Sequence, residues 1–140
     1  MTRIMTLTVV GLAGMLLGAG LAHPAGAETD AEFYKNWRMT FHVGLGVGGG
    51  SDSYTRVLAH HIGRQIPGKP SVIVKNRPGA GSLRLTNELY NVLPQDRSAI
   101  GMVSRGVSME VLFGNKRAKF DPTKFNWIGS TNNEVSVCVA

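Results

Sequence analysis

The residues best suited to chemistry lie in two glycine-rich runs, Gly44-Leu45-Gly46-Val47-Gly48-Gly49-Gly50-Ser51-Asp52 and Asn76-Arg77-Pro78-Gly79-Ala80-Gly81-Ser82. Glycine lets an anion approach the backbone N–H groups closely. A helix that starts at such a run adds unpaired N–H groups and the positive end of its dipole. Two runs side by side therefore suit a carboxylate or a phosphate. Asp52, in the first turn of the first helix, could face a ligand ammonium group or hydroxyl, or serve the helix dipole alone. Asn76 could donate its amide to a carboxylate, or close an Asx turn before Pro78.

Other chemistries fit poorly. Gly44-x-Gly46-x-x-Gly49 matches the dinucleotide fingerprint in letters. That fingerprint needs an acid about 20 residues on, at the end of the next strand. Here the next strand ends in Lys75-Asn76-Arg77, and no acid lies between Asp52 and Glu88. No Gly-Lys-Ser/Thr follows the glycines, so a phosphate-cradling P-loop fails too. There is no G-x-S-x-G elbow. His60 and His61 are adjacent, so on a helix they point about 100° apart and do not share a metal. Cys138 sits in an apolar run, where a thiol is usually inert packing. We expect no catalytic residue, no metal and no cofactor, and so a binding protein instead of an enzyme.

The elements that must carry these runs can be read from apolar patterning. Residues 39–44, 72–74 and 99–103 read as strands, as do residues 125–129 and 134–140. Ser51 can cap a helix whose one face holds Tyr54, Val57, Leu58, His61 and Ile62, closed by Pro67-Gly68-Lys69-Pro70. Ser82 can cap a second helix with Leu85, Leu89 and Val92 on one face. A third, short helix is expected around residues 107–112. Short strands alternating with helices imply an α/β fold with a doubly wound, mostly parallel sheet. Both glycine runs then fall at the carboxyl edge, where such sheets bind ligands.

The ends and the composition set the context. Arg3 precedes an apolar stretch over residues 4–21, and Ala25-Gly26-Ala27 follows. This is the pattern of an export signal over residues 1–27, cleaved near Ala27. Residues 134–140 alternate like a buried strand with no closing tail, so the expectation is a chain truncated before or at the crossover to a second lobe. The formal charge of +6 suits anionic partners in general. The basic residues are scattered except at Lys116-Arg117-Ala118-Lys119, so nucleic acid is not expected. A single cysteine excludes an internal disulfide, which agrees with a bacterial periplasm better than with a small secreted scaffold.

The pattern GxGxGGGxDxxxR from Gly44 to Arg56 and VxNxPGAGS from Val74 to Ser82 resemble the solute receptors of tripartite tricarboxylate transporters, the Bug family of periplasmic binding proteins. Pro94-Gln95-Asp96, Phe125-Asn126-Trp127-Ile128-Gly129-Ser130 and Asn132-Asn133-Glu134 are similar to that family as well. The likeness covers about residues 33–140. It implies a two-lobed periplasmic binding protein-like fold, of which residues 28–140 are the N-terminal part of one lobe. It implies a small carboxylate ligand and membrane transporter subunits as partners. Carried over residue by residue, the binding positions are Val47, Gly48, Gly49 and Asp52 in the first run, and Asn76, Pro78, Gly79, Ala80 and Gly81 in the second. Ser104 after the third strand, and Thr131 and Asn132 after the fourth, complete the set. The chain departs from the family pattern at Val47, where proline is common, and at Ser82 and Arg97, where glycine is common. If the turn at Arg97 needs a positive φ, arginine costs roughly 1 kcal/mol there. The alternatives are an exported α/β enzyme domain whose catalytic residues lie beyond Ala140, or a fragment without function.

Overall fold

A computed structural model describes residues 29–133. The proposed export signal and the expected last strand, residues 134–140, lie outside the described residues. The described residues start with a short helix, α1 (Asp30–Tyr34), opened by a capping box between Thr29 and Glu32. It then runs through β1 (Arg38–Val43), α2 (Gly50–Gln65), β2 (Ser71–Asn76), α3 (Leu83–Asn91) and β3 (Ala99–Met102). The three strands form one open sheet in the order β2-β1-β3. Both pairings are parallel, with Val43 opposite Asn76 and Met102 opposite Val43.

The two long helices lie on opposite faces of this sheet. Register partners in a parallel pair share a face, and residues three apart on a strand do not. Gly63 of α2 packs on Val72, which pairs with Met39; Leu89 of α3 stands over Gly101, which pairs with His42. The chain therefore winds one way from β1 through α2 to β2, then crosses back over β1 through α3 to β3. The point where the winding reverses is the carboxyl end of β1, and the first glycine run starts there.

Packing follows this division. Met39, Phe41 and Val43 of β1 are buried on the α2 side. On α3 the buried residues are Leu83, Leu85 and Thr86. Leu83 joins Val107 and Phe120 in a cluster edged by Tyr90, Val103, Ala118 and Phe125. The segment after β3 thus covers the outer side of α3. Asn87 and Asn91 hold it there, bonding the backbone of Arg117 and Lys119 at 2.7–2.9 Å.

Several elements differ from what the sequence pattern predicts. Helix α2 does not turn Tyr54, Val57, Leu58 and His61 inward. Tyr54 is 49% and Val57 61% exposed, and the buried residues are Asp52 and Thr55. Small residues on the sheet side explain this orientation. A Cβ on Gly63 would meet the carbonyl oxygen of Pro70 at 2.8 Å, so helix and sheet approach too closely for a bulky stripe. Ser51 lies inside α2, and Gly49 is the cap, with no side-chain bond to the helix. The region expected as a helix at 107–112 is a 3-10 turn over Arg105–Met109. Residues 125–129 form no strand. Phe125 is spent on ring contacts with Tyr90 and Phe120, and the Trp127 indole N–H bonds the carbonyl of Pro122.

The turn before β3 does need a positive φ: Arg97 sits at 71°. Its guanidinium lies 5.0 Å over the ring of Phe33, which offsets part of that cost. Leu85, fully buried beneath α3, is the position where truncation should be felt most. Leu85→Ala should cost about 2–5 kcal/mol in a denaturant melt; a loss under about 1 kcal/mol would contradict the packing of α3 on the sheet.

Candidate functional site

The first glycine run leaves β1 at Gly44 and enters α2 at Gly50. Gly46 through Gly50 are exposed, and a Cβ at Gly46, Gly48 or Gly50 would meet nothing within 4 Å. Openness is therefore not forced by crowding, and the backbone here is free to meet a ligand. Val47 is 76% exposed at the tip. Gly48 takes a φ of 82°, which suits glycine.

The second run is tighter. Ala80, Gly81 and Ser82 have successive φ values of 46°, 60° and 77°, a left-handed turn of three residues. Two of the three carry side chains, each at a cost of about 1–2 kcal/mol. Ser82 is fully buried and does not cap α3 with its hydroxyl. Its Oγ instead accepts the N–H of Ser104 at 3.0 Å. It also packs against Gly44, where any Cβ would lie 2.6 Å from Ser82 Oγ. One serine thus joins the ends of β1 and β3 to the start of α3.

A second tie joins the runs on the other face. Asp52 is 2% exposed. Its Oδ2 accepts from the Gly48 N–H at 2.9 Å and from Arg56 Nε at 3.0 Å. Its Oδ1 accepts from the Asn76 amide at 2.9 Å. Arg56 closes the ring, donating from a second nitrogen to Asn76 Oδ1 at 2.9 Å. The Asn76 amide also donates to the carbonyl of Leu45 at 3.3 Å. Arg56 chiefly, then the Gly48 N–H and the Asn76 amide, hold the Asp52 carboxyl far below the usual carboxylate range. The carboxylate is charged, paired and turned inward.

The expected site residues divide accordingly. Val47, Gly48, Gly49, Pro78, Gly79, Ala80 and Gly81 lie on two loops that leave adjacent strand ends. Asp52 and Asn76 meet each other across those loops, so both fix the loops in place. Ser104 is drawn to the same edge through Ser82. Thr131 lies elsewhere, lining a shallow groove with Tyr54, Val57, Leu58 and His61 along the outer side of α2. The backbone N–H and carbonyl of Asn132 both bond the Ser130 hydroxyl in a local turn. Sequence reasoning missed Arg56 and the buried role of Ser82. Arg56 had a signal, since it stands four residues after Asp52 on one helix. Among the described residues no group of three His, Cys, Asp or Glu side chains is placed to hold a metal.

Two outcomes check this geometry. Gly44→Ala should destabilise the chain by about 1–3 kcal/mol through the forced contact with Ser82. The Asp52 carboxyl is lowered on folding, so the stability it contributes is present above about pH 4 and lost as pH falls further. The stability gap between the wild-type chain and Asp52→Asn should therefore be widest at neutral pH and close in acid. A gap that stays constant with pH would contradict the paired carboxylate. No protein-family model matches this chain, and no curated protein matches it.

Proposed function

We propose that the chain is the N-terminal part of a periplasmic solute receptor, built on a two-lobed binding-protein fold, that captures a small carboxylate and delivers it to a tripartite tricarboxylate-type membrane transporter. The observation that supports this most is the convergence of two open glycine loops on adjacent strand ends, where the winding of the sheet reverses. That is the usual ligand position in open parallel sheets. The first turn of α2 has no side-chain cap, so its N–H groups and dipole remain available to an anion.

Electrostatics support an anion further. An unpaired Asp52 here would repel one. With Arg56 on one carboxylate oxygen and Asn76 on the other, that charge is offset. The same contacts occupy Asp52, so it is not set to receive a ligand ammonium group. A carboxylate would be held chiefly by backbone N–H groups, with Asp52, Asn76 and Arg56 shaping the loops from behind. The export signal expected over residues 1–27 and the resemblance of both glycine runs to the tripartite transporter receptors support a delivery step in the periplasm.

Calorimetric titration with a series of di- and tricarboxylates tests the reading. Saturable binding without turnover is expected. Asn76→Ala and Asp52→Ala should each weaken it by at least about tenfold, or 1.4 kcal/mol of binding free energy. Equal affinity in both variants and the wild type would remove these two residues from the site. No saturable binding by any carboxylate would remove the receptor reading.

A further inference from the structure

His42 takes no part in the carboxyl edge, yet it lies at the centre of the sheet. It is 4% exposed, and its Nδ1 is buried without a hydrogen-bond partner. Its register partners are Lys75 on β2 and Gly101 on β3. It therefore faces α3, whose Leu89 fills the space over Gly101. The charged groups acting on this position are Lys75 from β2, Arg77 just beyond its end, and Glu88 from α3. Gly101 brings no charge from β3. Glu88 is already shared: Arg77 donates to it at 2.7 Å and Arg84 at 3.0 Å.

A neutral imidazole fits this setting and a protonated one does not. The added charge would be buried beside two cations, and the Glu88 carboxylate is committed to two arginines. The Arg77–Glu88 pair also ties the residue that follows β2 to α3. A charged His42 would repel Arg77 and compete for Glu88, so its cost falls on that tie. The second glycine loop runs between Arg77 and Leu83, and both of its ends belong to the elements that the tie joins.

We propose that His42 is an acid-release device: on protonation it breaks the Arg77–Glu88 tie, loosens α3 from the sheet and frees the second glycine loop. The loosening is a property of the chain itself; only its consequence, release of a bound carboxylate, rests on the receptor reading. Burial first, and then Arg77 and Lys75, hold the His42 pKa below its ordinary value. The folded chain thus holds fewer protons than the unfolded chain. Stability is undiminished above about pH 6.5 and falls as pH drops below it.

Amide hydrogen exchange of the full chain, without ligand and corrected for intrinsic rates, tests this at about pH 7 and about pH 5. The wild-type chain should lose at least about tenfold protection in α3 relative to α2. His42→Phe and His42→Gln should lose less than about twofold. Equal losses in wild type and variants, or no loss in the wild type, would overturn the proposal. Should both variants fail to fold, Lys75→Met, at an exposed position, removes one repelling cation. It should shift the loss of protection measurably, and an unchanged profile would overturn the device. A chain whose α3 loosens in acid but which binds no carboxylate would keep the device and refute the receptor.

Discussion

Asp52 is a charged side chain buried at the edge of a sheet whose neighbouring backbone is mostly exposed glycine. A buried carboxylate is tolerated only when its oxygens are filled by donors. Here the donors come from three places: the loop before the helix, the helix one turn on, and the end of the next strand. Satisfying that one carboxylate therefore fixes the start of α2 against the end of β2 and sets the path of the first glycine loop. Without this tie, five glycines in the seven residues from Gly44 to Gly50 would leave the loop's backbone poorly restrained.

The opposite face of the sheet solves the same problem with a neutral group. Ser82 enters α3 in a left-handed conformation that only the lack of a Cβ on Gly44 permits. Its hydroxyl then reaches the end of β3. The carboxyl edge is thus held from both faces, by an ionised ring on the α2 side and by a buried hydroxyl on the α3 side. The strained turn at Ala80 and Ser82 is stable because Gly44, Ser104 and the Arg77–Glu88 pair surround it. Such concentration of strain and buried polarity fixes the shape of the loops at the carboxyl edge.

The sheet and both loops were legible in the sequence, because short apolar strands flanked by glycine runs leave few alternatives. Asp52 and Asn76 were legible as residues that matter, but not as partners. They are 24 positions apart, and no periodicity reports a contact between a helix start and a strand end. The face of α2 was misread for a related reason. Tyr54, Val57, Leu58 and His61 make a convincing apolar stripe, yet the helix is rotated by the inward pull on Asp52 and by the close approach at Gly63. Local pattern lost to two tertiary contacts. Residues 125–129 look like a strand because they are apolar and aromatic, but the ring cluster around Tyr90 and Phe120 uses Phe125 as an anchor instead. Arg97 and Ser82 stood out as side chains where glycine is common, and both proved to sit at positive φ.

In the proposed site the two glycine loops together hold one carboxylate through their backbone N–H groups. Amide resonances report this directly. Titrating a labelled chain with a small dicarboxylate should shift the backbone amides of Gly49, Gly50 and Ser51 together with those of Gly79, Ala80 and Gly81, all with one saturating curve. Shifts confined to one loop, or spread over the basic residues Lys116, Arg117 and Lys119 without saturation, would contradict the shared site.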